Sequence, residues 1–499
     1  MNRTSAFIKG FASTVAQKIL TKIIGLIVTP IVLIYLDKTE YGIWVIIGSV
    51  LGYMGLMDFG VTGATAAIAA KSNTKEDEHR INIIINNAFA LQSIIGILII
   101  IVGFMISFYF PEVFNMGNYS KEDAWLVFVM AIIGYGISFP LKSLKGLIRA
   151  KQMISLVVWL EFVFFILVTV LNLYLLHLGF GLLALPVGAL VVRLLSYPVY
   201  IHFAKKVYPQ LCFEPSIITW VHMKDIFGVS SYWFVGMIAA MVIYSTDTIL
   251  IGIFMSTAMV TMYALTLRLS EVMREFIYSI SFTLMPAIGQ IMGNGDIEKA
   301  REIYLRSQPV ILSLAVVGAV FIYLFNAYFV TFWVGSEYFA GNTLSLIFAG
   351  MLFVTVAFHS SSLVISADLK LKGVTITRIS EACINIVLSI LLVQSYGLEG
   401  IAFATLVTGI LTSFWAVPYM TMKHLGVSFN SWMKKIVLKV LGVFVASVIL
   451  AYFMQQLWVL GTAGVVFSLI LYGMGGMVTL WFIAMDAETK RMVYAKIRK

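Results

Sequence analysis

Fourteen apolar runs of roughly 20 residues, each closed by a short polar stretch, divide the chain from end to end, and a helix of that length crosses about 30 Å of hydrocarbon. The runs predict helices at 13–36, 43–70, 82–109, 124–148, 153–176, 182–203, 225–253, 258–288, 308–331, 342–366, 374–395, 399–421, 436–454 and 459–485. Backbone polar groups in lipid must be bonded within the protein, so only helices and closed barrels span a bilayer. The weak period-two alternation in these runs argues against barrel strands. Composition agrees: 61% of the 499 residues are hydrophobic and 12% charged, about half the charge of a soluble domain. The sequence predicts an all-α integral membrane protein of about 14 transmembrane helices.

Orientation follows from the basic residues between the runs. With the N-terminus in the cytoplasm, roughly two dozen Lys and Arg fall inside, among them Lys71, Arg80, Arg149, Lys151, Lys205, Lys206, Lys370, Lys372, Lys434, Lys435 and the tail from Lys490 to Lys499, against about two outside, Lys38 and Lys121. Both termini are therefore expected in the cytoplasm, and the N-terminal segment, which lacks a small-residue cleavage signal, is expected to be retained. Residues 2–12 read as an amphipathic helix on the inner surface. The net charge of +10 is scattered as topology scatters it, not gathered on one face as nucleic acid requires. Cys212 and Cys383 belong to no metal or redox motif. The loops, the longest being 204–224, hold no soluble catalytic module. No phosphate-binding Gly-rich loop, HExxH or catalytic triad stands out, so neither a resident cofactor nor a metal is expected.

An internal repeat is visible. WLEFVFFILVTVLNLYLLHLGFGLLALPVG, around Glu161, parallels RISEACINIVLSILLVQSYGLEGIAFATLVTG, around Glu381: an early Glu, a Gly turn (Gly179 and Gly181; Gly397 and Gly400), then an Ala-containing apolar run. The repeat predicts two six-helix lobes with pseudo-two-fold symmetry: 1–203 for the first, 204–224 as a cytoplasmic linker, 225–421 for the second, and 422–499 for two appended helices and a basic tail.

Ionisable side chains inside a bilayer pair, snorkel or face water. Those within the runs are Lys18, Lys22, Asp58, Lys142, Lys145, Glu161, Arg193, Asp247, Arg268, Glu271, Arg274, Glu275, Arg378 and Glu381. Lys142, Lys145, Arg378 and Glu381 lie near cytoplasmic ends and read first as snorkelling residues. Lys22, Asp58 and Arg268 lie nearer mid-span, where a water-facing role and a structural pair stand equally open. On the eighth run, Glu271 lies three residues from both Arg268 and Arg274, so these charges can neutralise one another; alternatively, surplus bases hold an anionic head group. His177, His202 and His359 are single and read as structural.

YLDKTEYGIWVIIGSVLGYMGLMDFGVTGATAAIAA (35–70), STDTILIGIFMSTAMVTMYALTLRL (245–269) and FVTFWVGSEY (329–338) resemble the bacterial O-antigen and capsule polysaccharide flippases of the multidrug, oligosaccharidyl-lipid and polysaccharide exporter superfamily. The resemblance implies two six-helix lobes around a central cavity that opens alternately inward and outward. It implies an undecaprenyl-pyrophosphate-linked oligosaccharide as cargo, moved from the cytoplasmic to the outer leaflet of a bacterial inner membrane, with a proton or sodium gradient as the possible drive. Expected partners are that glycan, membrane lipid, and a polysaccharide polymerase and chain-length regulator, with no nucleic acid. Lys22, Asp58, Asp247 and Arg268 are the first candidates for the cavity; Lys18, Lys142, Lys145, Glu161, Arg193, Glu271, Arg274, Arg378 and Glu381 are the second rank.

Two rivals stand beside this reading. A cation-coupled multidrug antiporter of the same superfamily needs only twelve helices. A glycan polymerase or ligase is expected to carry a substantial outer loop with catalytic residues, which the chain lacks.

Overall fold

The computed structural model describes residues 3–70, 76–227, 231–368 and 370–497. Lys71 and Lys499, two of the basic residues used for orientation, lie outside them. Every regular element among the described residues is helical. The membrane-length helices are α1 (Ala12–Tyr35), α2 (Lys38–Asp58), α3 (His79–Ser107), α4 (Lys121–Ala150), α5 (Ile154–His177), α6 (Gly181–Val207), α7 (Phe234–Phe254), α8 (Thr257–Gly293), α9 (Ile297–Trp333), α10 (Asn342–Ala367), a 55-residue stretch Leu371–Leu425, and then two more, Phe429–Gln456 and Gly461–Ala484. As one helix, the 55-residue stretch would be about 80 Å long, far more than one crossing needs. It is interrupted at Gly397, whose φ of +57° with ψ of −134° is open to glycine and strained for other residues. It therefore counts as α11 (371–396) and α12 (398–425), and the last two are α13 and α14. Their outward faces carry large exposed side chains such as Met105, Val170, Leu391, Phe444 and Phe482, which suits hydrocarbon and not water.

Several expected boundaries move. The run at 43–70 is not one helix: Lys38–Gly55 tightens into a 3₁₀ turn at Leu56–Asp58, Phe59 takes a left-handed φ of +47°, and a second helix starts at Val61. A capping box starts the helix at Lys38, Glu40 N–H donating to Asp37 Oδ1 at 2.8 Å and Asp37 N–H to Glu40 Oε2 at 2.9 Å. α4 bends before Pro140, which cannot donate a helical hydrogen bond. α9 runs 37 residues because Asp296 caps the N–H of Lys299 at 3.0 Å, drawing most of the charged linker into the helix. Residues 3–12 continue into the first span as one helix, Arg3–Tyr35, and do not form a separate surface helix.

The chain divides into two compact units: unit 1 is Met1–Met241 with Thr248–Thr261, and unit 2 is Val242–Asp247 with Met262–Lys499. Unit 1 packs α4 against α5 and α6 through Leu144, Leu147, Val157 and Tyr200. Its Tyr-Gly-x-Trp segment is tight: a Cβ at Gly42 would collide with the Thr257 carbonyl, and the Thr261 hydroxyl donates to the Lys38 carbonyl at 2.6 Å. Only glycine lets the two backbones approach so closely. Unit 2 packs α9 against α10 through Ile311, Ala315, Ile322, Leu352 and Val356, and α14 joins α9 where the Tyr472 hydroxyl donates to the Val317 carbonyl at 3.1 Å.

Candidate functional site

In unit 1 the break in α2 places Asp58 where the chain leaves the first half-helix. Its Oδ1 accepts from Thr62 Oγ1 at 2.8 Å and from Gln92 Nε2 at 2.6 Å, and Lys142 Nζ lies 3.7 Å away. Lys142 also rests over the Phe139 ring, 3.6 Å from its centre, an arrangement that stabilises a cation in a poor solvent. One turn along α4, Lys145 donates to Glu161 Oε1 at 2.9 Å, with Arg149 Nη2 3.7 Å from the same oxygen. Arg193 stands over the Tyr135 ring at 5.9 Å and has no carboxylate partner among the described residues. Lys22 is half-buried and equally without one, and Lys18 is exposed.

Unit 2 is arranged differently. Asp247 is 4% exposed; its Oδ2 accepts from the Tyr263 hydroxyl at 2.8 Å and from Thr405 Oγ1 at 3.2 Å. Asn385 Nδ2 donates to the same Thr405 oxygen at 2.9 Å. Arg268 and Glu271 form a half-buried pair at 3.1 Å. Arg274 does not join it and lies over the Tyr244 ring at 5.0 Å. Arg378 and Glu381, 3.1 Å apart, are only 6% and 5% exposed, with Phe358 and Tyr244 against the guanidinium. These two do not snorkel to an interface: they neutralise each other inside the protein. Lys142 and Lys145 are likewise held by carboxylates. His359 stacks on Tyr278 with ring centres 3.7 Å apart.

Unit 2 also holds an open apolar groove of about 1190 Å³ between α9, α10, α12 and α13, lined by residues such as Leu312, Phe353, Trp415, Trp432 and Phe444. That exceeds the about 300–1,000 Å³ usual for small-ligand pockets.

The charged members of both clusters stand out in the sequence, and their uncharged partners, Thr62, Gln92, Tyr263, Asn385 and Thr405, do not. The available signal was the presence of Asn, Gln and Thr inside apolar spans, where such side chains bond between helices.

Residues 7–292 match the family model described as "Polysaccharide biosynthesis protein". A probable flippase, AglR of Haloferax volcanii, is 26% identical over 404 residues, 79% of each chain. Among solved structures, a lipid II flippase, MurJ, in an inward closed conformation superposes with a TM-score of 0.67 at 14% identity, over 93% of this chain and 98% of the other. An inward-facing multidrug resistance MATE family transporter of the MOP superfamily gives 0.60 at 17% identity, over 82% and 99%. These structures share the fold.

Proposed function

The chain belongs to the polysaccharide biosynthesis protein family of membrane transporters, and from that premise we propose that it is a flippase moving a lipid-linked oligosaccharide from the cytoplasmic to the outer leaflet by alternating access. The cargo is an undecaprenyl-pyrophosphate-linked repeat unit of an O-antigen or similar surface polysaccharide, the membrane a bacterial inner membrane with both termini in the cytoplasm, and the drive an ion gradient. A polysaccharide polymerase and a chain-length regulator act on the product. The two six-helix halves, 1–203 and 225–421, supply the repeated architecture.

One observation carries this reading. Among the candidate cavity residues, Asp58, Glu161, Glu271 and Glu381 each have a basic partner and Asp247 is bonded to the Tyr263 and Thr405 hydroxyls, whereas Lys22, Arg193 and Arg274 have no carboxylate within ion-pair distance among the described residues. Unpaired bases in a low-dielectric setting favour an anionic head group such as pyrophosphate. A carrier of organic cations needs the reverse, carboxylates left free for the cargo. The apolar groove of unit 2 adds support, since a lipid-linked cargo brings a long hydrocarbon chain and a small organic cation does not.

Liposomes holding the purified protein and a fluorescent undecaprenyl-pyrophosphate oligosaccharide test the proposal, with transfer read as accessibility to an outside quencher. Wild type is expected to transfer the lipid, and Lys22→Ala and Arg193→Ala, folded by their melting curves, to lose about tenfold or more in rate, the loss of a charge-assisted contact. An inert wild type that exchanges organic cations for sodium or protons replaces the flippase with the multidrug antiporter.

A further inference from the structure

Residues 208–219 follow α6 and belong to unit 1, yet 212–216 are all exposed. Apolar packing secures only the start of the segment, where Tyr208 and Leu211 join the core of unit 1 and Phe213 sets its ring against Phe89, centres 5.3 Å apart. Three asparagines of α3 hold the rest. Asn82 donates to the Gln210 carbonyl at 2.9 Å and accepts from the Cys212 N–H at 3.3 Å. Asn86 donates to the Cys212 carbonyl at 2.8 Å and accepts from the Glu214 N–H at 2.9 Å. Asn87 donates to the Ile217 carbonyl at 2.9 Å and accepts from the Thr219 N–H at 2.8 Å.

The side-chain amide of asparagine carries both a donor and an acceptor, as a peptide group does, so a row of asparagines along a helix imitates the edge of a strand. The two periods match. From Asn82 to Asn86 a helix rises about 6 Å, and two residues of extended chain advance about 6.6 Å. Cys212 is therefore gripped by its N–H from one asparagine and by its carbonyl from the next. The short turn Pro215–Ile217 takes up chain before Asn87 repeats the grip. The second amide hydrogen bonds α3 itself, Asn86 Nδ2 to the Asn82 carbonyl at 2.9 Å and Asn87 Nδ2 to the Ile83 carbonyl at 2.8 Å. These bonds fix both side chains, which are 3% and 0% exposed, so the grip is preorganised.

At Thr219 the segment passes into the helix Trp220–Phe227: Thr219 Oγ1 accepts from the His222 N–H at 3.4 Å, and the helix lies against α3 and the helix that starts at Val61. A slack loop would let this helix and α6 move independently. We propose that residues 208–219 are instead a rigid strut, zipped to α3 by Asn82, Asn86 and Asn87, which makes α3, α6 and the helix Trp220–Phe227 one mechanical body within unit 1. In the flippase reading, on which its use in a transport cycle rests, a displacement of α6 then reaches the helix that precedes α7 in the chain without slack.

Hydrogen exchange, read residue by residue on the purified full chain in detergent with no cargo present, tests the strut apart from the flippase reading. The zipper leaves an alternating signature. The amides of Cys212, Glu214 and Thr219 should exchange at least about tenfold more slowly than those of Phe213 and Ser216, whose N–H groups have no acceptor among the described residues. Asn86→Leu, similar in size and without hydrogen bonds, should remove the slow exchange at Glu214. It should also speed exchange in the helix Trp220–Phe227 by about fivefold or more, the loss of one to two hydrogen bonds, although the Asn86 amide bonds nothing in that helix. Asn82→Ala places a good helix former at a half-buried position, so it should fold even where the buried substitution does not; it should free the Cys212 amide and, more weakly, the helix. Glu112→Gln, in an exposed loop pair with Lys121, should exchange as wild type does. Uniformly fast exchange across 212–219 in folded wild type, an unchanged pattern in the folded variants, or a helix Trp220–Phe227 that they leave unmoved, each overturns the strut.

Discussion

Asp58 in unit 1 and Asp247 in unit 2 are both carboxylates within the membrane spans, yet they are kept there by different means. Asp58 has an amide, a hydroxyl and a lysine, and the aspartate and lysine side chains remain 21% and 27% exposed. Asp247 has two hydroxyls and almost no exposure. The repeated glutamates divide in the same way: Glu161 takes Lys145 and Arg149 from a neighbouring helix and stays 32% exposed, while Glu381 takes Arg378 from its own helix at 5%. Half-exposed pairs between helices can exchange partners at small cost, because solvent replaces what is lost. Buried ones cannot, because removing either member strands a charge. Unit 1 therefore carries charges that can rearrange, and unit 2, apart from the half-buried Arg268 and Glu271 pair, charges that are locked.

The largest difference between the two units is expected at Glu381. Glu381→Ala leaves Arg378 buried without its counter-ion and should destabilise the protein by about 3–5 kcal/mol, read as a lowered Tm in detergent. Adding Arg378→Met should recover most of that loss, since the stranded charge is then gone. An unchanged Tm in the single variant would show that the pair is not desolvated.

In unit 1 the effects should be smaller and graded. Asp58→Ala leaves the fully buried Gln92 amide with only the long contact to the Thr62 hydroxyl at 3.5 Å and Lys142 without its carboxylate, a loss of about 2 kcal/mol. Glu161→Gln, in the more exposed pair, should cost no more than about 1 kcal/mol. Comparing the two Tm shifts sets the order, and an Asp58 variant milder than the Glu161 one would reverse the account of the α2 break.

Helix number and the identity of the charged residues were legible in the sequence because each rests on a local property: apolar length, or an ionisable side chain within it. The turn at Gly397 was legible for the same reason, as a glycine pair between two apolar runs. Pairing was not. Whether Glu271 takes Arg268 or Arg274 is undecided by spacing alone, since both are three residues away; the outcome depends on Tyr244, which holds Arg274 over its ring. The break at Phe59 was hidden for a different reason. A run of Ala, Gly and Thr with no proline reads as continuous helix, and the break becomes favourable only through the bonds that Asp58 then makes with Thr62 and Gln92.

A carboxylate outside the spans extends the comparison to its weak end. Asp368 lies in the short link after α10, with Lys370 Nζ at 2.8 Å and His424 Nε2 at 3.0 Å from the same oxygen. The hydrogen bond from Lys370, with the nearby charges of Lys370 and His424, holds its carboxyl below the usual carboxylate range. A group lowered on folding adds stability above its unfolded value, near pH 4, and that stability is lost as the pH falls through the lower folded value. The wild-type Tm should therefore drop between about pH 5 and pH 3 slightly more than that of Asp368→Asn, by the few tenths of a kcal/mol that an exposed pair supplies. Melting curves across that window check it. Superimposable curves would mean that Lys370, 64% exposed, is free in water, and that strong coupling between charges in this protein is confined to the lipid-embedded clusters.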